Sequence, residues 1–97
     1  MDSKTRAKLR GIANGLQPTV IIGKEGITEN VVGQISMNLD AHELVKISVL
    51  SSDEDYKEML SILAEKLQAE PIQSVGKKLV LYRFSAKKKS GHILCDN

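Results

Sequence analysis

The sequence predicts an α/β domain built on a four-stranded mixed sheet, and three observations lead there. Strand-like apolar runs alternate with helical stripes in the order helix, strand, helix, strand, helix, strand, strand. The last two runs flank Gly76-Lys77, a tight-turn pair that predicts an antiparallel hairpin. At 97 residues the chain is too short to bury two cores of useful size, so it is read as one domain.

The first helix lies within "DSKTRAKLRGIANGL", with Ser3 as N-cap and Gly15 as its stop. Lys4 and Lys8 form one pair on its surface, and Arg6 and Arg10 another, because residues four apart are helical neighbours. Pro18 breaks the helix, and "TVIIG" reads as a short buried strand of β-branched residues. Thr28 is an N-cap for the second helix, over 28–42, with Ile27 and Val32 spaced as a hydrophobic staple. Val31, Val32, Ile35 and Leu39 supply its apolar stripe, and "ELVKISVL", 43–50, is the second strand.

Ser52 is expected to open the third helix, with Asp53, Glu54 and Asp55 at the positive end of its dipole. Tyr56, Met59, Leu60, Leu63, Ala64 and Leu67 give the clearest amphipathic stripe in the chain, and Glu70-Pro71 ends it. "IQSV" and "KLVLYRF" are the hairpin strands. Strands joined through helices are expected to pair in parallel. The domain is placed at residues 1–85, and 86–97, "AKKKSGHILCDN", reads as a basic, flexible tail that need not be ordered.

Charge narrows the function classes. Residues 1–26 carry five Lys/Arg against two acids, 27–75 carry three against nine, and 76–97 carry six against one. Two basic ends around an acidic middle point to a polyanionic partner. Apolar runs such as Val20-Ile21-Ile22 are far too short to span a membrane, and no apolar stretch follows the basic N-terminus as a signal peptide requires. With a single cysteine, Cys95, an intrachain disulfide is excluded and the cytoplasm is the expected compartment.

The turn Gly23-Lys24-Glu25-Gly26 falls between the end of the first strand and the start of the second helix. That is where open α/β sheets bind ligands, and the free amides at a helix start attract phosphate. Glycines at both ends allow positive φ and a close backbone approach. The spacing is neither the dinucleotide fingerprint nor a P-loop. It is the kind of GxxG loop with which KH domains clamp a nucleic acid backbone.

Taken together, "KTRAKLRGIANGLQP", "VIIGKEGITENVV", "ELVKISVL" and "VGKKLVLYR" resemble the CRM domain, the chloroplast RNA splicing and ribosome maturation family, from about residue 4 to residue 83. The likeness is to its stand-alone bacterial members, of which YhbY is the type. The resemblance implies a fold similar to the C-terminal domain of bacterial translation initiation factor three. It further implies a non-enzymatic RNA-binding protein that associates with ribosomal RNA in large-subunit precursors and assists their assembly; ribosomal proteins are kept, apart from the resemblance, as further candidate partners. The family's loop matches Gly23, Lys24, Glu25 and Gly26, and its basic first helix matches Lys4, Arg6, Lys8 and Arg10. The third loop position is often glycine in the family, and an acid there weakens phosphate attraction. Lys77, Lys78 and Arg83 join the expected RNA-binding surface, which forms if the first helix packs near the loop.

Other candidates carry less. His92 and Cys95 have H-x-x-C spacing, but two ligands in a tail make no closed metal site, and neither metal nor cofactor is expected. His42 sits at a helix end, where it meets the dipole, and Asp53, Glu54, Asp55 and Glu58 read as a solvated helix start. Tyr56 belongs to a core stripe, and Tyr82 and Phe84 share a strand face with Val80, so base stacking on an aromatic platform is not expected. Two rivals stand beside the RNA reading. One is a small enzyme acting on phosphate, for which Thr28 is the only nearby nucleophile; the other is a protein-interaction module using the acidic middle. Nothing in the sequence demands more than a monomer.

Overall fold

The computed structural model describes residues 1–51, 54–88 and 92–94. Its elements are α1 (Ser3–Asn14), β1 (Val20–Ile22), α2 (Glu29–His42), β2 (Leu44–Val49), α3 (Tyr56–Leu67), β3 (Glu70–Val75) and β4 (Lys78–Tyr82). Asp2, one residue before the predicted cap, closes the start of α1 by accepting from the Thr5 amide at 2.8 Å. Thr28 caps α2 as expected. Ser52 and Asp53 lie outside the described residues; Asp55 caps α3, accepting from Glu58 N at 3.1 Å. The third helix ends at Gln68, in the left-handed region with φ 53°, before Pro71 is reached. Pro71 instead lies in β3, an edge strand whose ladder shifts register between Pro71 and Gln73.

The sheet order is β1-β2-β4-β3. The first two strands pair in parallel, as expected, with Ile22 opposite Val49, and β3 and β4 form the antiparallel hairpin. The expected parallel pairing of β2 with β3 does not occur, because β4 inserts between them and pairs antiparallel with β2. Burial explains the choice. Leu79 through Tyr82 are buried on both faces and need the sheet interior, whereas β3 carries Pro71, Gln73, Ser74 and an exposed Val75, which suit an edge.

Alternation along β2 divides the core in two. Val45, Ile47 and Val49 face α2 and α3, joined by Val20, Ile22, Leu79 and Leu81. The predicted α3 stripe supplies Met59, Leu60, Leu63, Ala64 and Leu67 to this layer, each fully buried leucine contributing about 2 kcal/mol. On the other face, Leu9 and Ala13 of α1 cover Leu44, Val80, Tyr82 and Ile72. One helix thus packs behind the sheet and two in front. Among the described residues no helix is long and apolar enough to cross a membrane.

Two sequence expectations change near the C-terminus. Phe84 does not share a core face with Tyr82: β4 stops at Tyr82, and Phe84 stands in solvent. Residues 92–94, assigned from composition to a tail, return to the sheet, where Ile93 and Leu94 pack on the α1 core. Lys89 and Cys95 lie outside the described residues.

Candidate nucleic-acid interface

The loop after β1 is a closed turn. Gly26 N donates to Gly23 O at 3.1 Å, leaving Lys24 and Glu25 exposed at the tip. Gly26 has φ 76°, which a residue with a side chain adopts only with strain; Gly23 is not in the left-handed region, so only the second glycine is demanded by the backbone. A Cβ at either position would meet nothing within 4 Å, so the turn presents its backbone to open space. Thr28 Oγ1 then accepts from Val31 N at 3.2 Å, and Val32 N donates to Thr28 O at 2.9 Å to start α2. Helix geometry leaves the amides of Glu29 and Asn30 without intrahelical acceptors, next to the positive end of the helix dipole. Gly23, Lys24, Glu25, Gly26, Thr28 and Val31 line a hollow of about 200 Å³ there.

Neighbouring segments give the turn a charged polarity. Leu50 N donates to Ile22 O at 2.9 Å and Val49 N to Lys77 O at 2.8 Å, so the β3–β4 turn rises at the same end of the sheet as the glycine loop. Ile21, Ser48 and Lys78 form one row across β1, β2 and β4, which sets Lys78 two strands from β1, roughly 10 Å. Lys77 is exposed and Lys78 half-buried. On the loop's other side, Glu54, Asp55 and Glu58 share a hollow with Gly26 and Ile27.

The remaining predicted cations are distributed differently. Lys4 and Lys8 are exposed on the outer side of α1, and Arg10 is half-buried. Arg6 Nη2 lies 3.9 Å from Glu70 Oε2. Glu70 pairs with Tyr82 and Tyr82 with Leu44, at the sheet end opposite Lys78, so the structure draws Arg6 away from the loop. Arg83 is bound into the scaffold. Its guanidinium donates to Leu67 O at 2.9 Å, to Ser36 O and Oγ at 3.1 and 3.0 Å, and to Asp40 Oδ1 at 3.1 Å. Lys87 Nζ meets Asp40 Oδ2 at 3.0 Å; this hydrogen bond, with the Arg83 charge, holds the Asp40 carboxyl below its ordinary value against the opposing effect of burial.

Sequence reasoning did not single out Glu43. This residue caps α2 in the left-handed region, φ 67°, and is fully buried. Its carboxylate accepts from Ser85 N at 2.7 Å and Ile93 N at 2.8 Å, and lies 2.7 Å from His92 Nδ1. Burial would push its carboxyl up; these three partners outweigh that and hold it down. Nothing local marks the residue, since its partners lie more than 40 positions away. Among the described residues no three His, Cys, Asp or Glu side chains converge as a metal site.

A glycine-bounded turn leading from a parallel-paired strand into a capped helix, on a four-stranded sheet backed by an N-terminal helix, defines a class of small α/β domains. This chain belongs to the CRS1/YhbY (CRM) domain family, whose model matches residues 1–83. It is 34% identical to an "RNA-binding protein" of Haemophilus influenzae, covering 92% of this chain and 91% of that one. It is 33% identical to "Probable RNA-binding protein YqeI" of Bacillus subtilis, covering 92% and 94%. The solution structure of SAV1595 from Staphylococcus aureus, described as a candidate RNA binder, superposes with a TM-score of 0.81 at 37% identity, covering 92% of this chain and 94% of that one.

Proposed function

We propose that this protein is a non-enzymatic RNA-binding protein of the cytoplasm that engages ribosomal RNA in precursors of the large ribosomal subunit and assists their assembly. The observation that carries this reading is the closed Gly23–Gly26 turn. Its tip holds a cation, its backbone is unobstructed, and the amides of a helix start stand behind it. Family membership and the names of the relatives support RNA as the polyanion.

In this mechanism Lys24 and the turn amides hold phosphate, while Gly23 and Gly26 permit the approach. Lys77 and Lys78 extend the contact along the same sheet end, and Lys4, Lys8 and Arg10 widen it from α1. Arg83, which donates to Asp40 and Ser36, serves the fold instead, and Arg6 stands beside Glu70 at the far end of the sheet from the loop. The acids beside Ile27 repel a phosphate chain, so the backbone runs on the lysine side. Glu25 tempers the attraction at the tip. Thr28, the hydroxyl a phosphate-handling enzyme would recruit, is occupied as the α2 cap, which favours binding over catalysis.

Sedimentation of tagged protein from cell lysate tests the proposal. Wild type is expected with large-subunit precursors and Lys24→Glu at the top of the gradient; wild type at the top contradicts the assembly role. A second reading, docking of the acidic Glu54, Asp55 and Glu58 surface on a basic ribosomal protein, is favoured by the hollow those residues share with Ile62. Nuclease treatment separates the two, since an RNA-mediated association vanishes and a protein-mediated one survives.

A further inference from the structure

The chain has three Phe and Tyr side chains, all within the described residues, and two serve the fold. Tyr82 is buried against α1, and Tyr56 packs on the main core with its hydroxyl donating to Ser51 O at 2.6 Å. Phe84 is 59% exposed. It lies outside the span matched by the family model, which ends at residue 83.

Phe84 is nevertheless held in place. The His92 ring stacks on it with centroids 4.5 Å apart and planes 17° from parallel. Both rings are fixed through one buried carboxylate: Glu43 accepts from the amide of Ser85, next to Phe84, from the amide of Ile93, next to His92, and contacts His92 Nδ1 itself. Ile93 and Leu94 anchor the second segment of this clamp on the α1 core. Phe84 also borders a hollow of about 600 Å³ lined by Met1, Gln68, Glu70, Tyr82 and Arg83. That space admits a nucleobase. A flat ring set beside the Gln68 amide and the Glu70 carboxylate suits a base, which has apolar faces and polar edges, better than an apolar protein segment, which needs a contiguous apolar patch.

We propose that the Phe84–His92 pair is a stacking platform for an unpaired RNA base, a second RNA contact at the sheet end away from the glycine loop. This rests on the RNA-binding function proposed above. Lys78 and Tyr82 mark the two ends of β4, so platform and loop are separated by at least the strand's length, on the order of 13 Å. A single strand crossing the sheet edge would touch both, the loop through phosphate and the platform through a base.

The two contacts differ in their response to salt. Phosphate neutralisation releases counterions and stacking does not. The test uses a short single-stranded RNA carrying 2-aminopurine, whose fluorescence is quenched on stacking, and the full chain as wild type, Phe84→Leu, Phe84→Trp and Lys24→Ala. Phe84→Leu is expected to weaken binding roughly five- to a hundredfold at an unchanged salt slope and to abolish the quenching, with both restored in Phe84→Trp. Lys24→Ala is expected to flatten the slope by about 0.7 while quenching persists at saturation. Equal affinity and quenching in Phe84→Leu and wild type would overturn the platform while leaving the loop reading intact. An equal loss on fully double-stranded RNA would also overturn it, since paired bases are not available to stack. If wild type binds no RNA, the broader function fails and the platform with it.

Discussion

Lys46, in the middle of β2, donates through Nζ to the carbonyl oxygen of Ala13 at 3.2 Å, and also reaches Leu16 O at 3.3 Å. The last carbonyls of a helix have no intrahelical donors, and α1 has no basic residue in its own last turn. Ala13 O also accepts from Leu16 N at 3.0 Å, so the sheet adds a cation to a helix end that the following turn already partly closes. Lys46→Met keeps the apolar stem and removes the charge, and is expected to cost about 1.5 kcal/mol in urea unfolding while RNA affinity stays within about twofold.

Arg83 ties the ends of two helices to the exit of β4. Lysine cannot reproduce a guanidinium that serves Leu67, Ser36 and Asp40 together. Arg83→Lys is expected to lower stability by about 2 kcal/mol, read as the urea midpoint, with RNA affinity of the folded protein unchanged. A folded variant of normal stability that loses RNA binding would return Arg83 to the interface.

Acid should loosen the C-terminal clamp. Glu43 and Asp40 both have carboxyls held below their ordinary values, so their contribution to stability is fully present above those values and is lost as pH falls through the lowered ones. The window opens below the ordinary glutamate value of 4.5. Wild type is expected to lose stability faster than Glu43→Gln over that range, because glutamine carries no titrating group. Parallel pH profiles of the urea midpoint would contradict this.

The two loop glycines separate backbone demand from ligand approach. Gly23→Ala is expected to leave stability within about 0.5 kcal/mol, since neither φ nor space opposes a methyl group. Gly26→Ala, at φ 76°, is expected to cost about 1–2 kcal/mol. Valine at either position should weaken RNA binding by more than its effect on stability explains, measured on variants shown to be folded by circular dichroism.

Much of this fold was legible where the signal is local. Thr28 could be read as a cap, the α3 stripe as core and Gly76-Lys77 as a hairpin, because each depends on residues within a few positions. The place of β4 was not, since two strands compete to pair with β2 and only burial on both faces decides between them. The loop was legible as a motif, and its basic neighbours Lys77 and Lys78 follow from the hairpin. Arg6 and Arg83 read as surface cations because the carboxylates that face them, Glu70 and Asp40, lie 64 and 43 positions away. Phe84 fitted strand alternation until β4 ended two residues earlier, and the Glu43 clamp has no sequence signature.

The claim that the Gly23–Gly26 turn holds an RNA backbone is tested most directly by measuring affinity for single-stranded RNA against salt, in wild type and Lys24→Glu. Wild-type affinity should fall linearly on logarithmic axes with a slope of about −0.7 for each phosphate neutralised, and Lys24→Glu should bind more weakly with a shallower slope. Wild-type affinity that ignores salt, or a variant that matches wild type at every concentration, would contradict it.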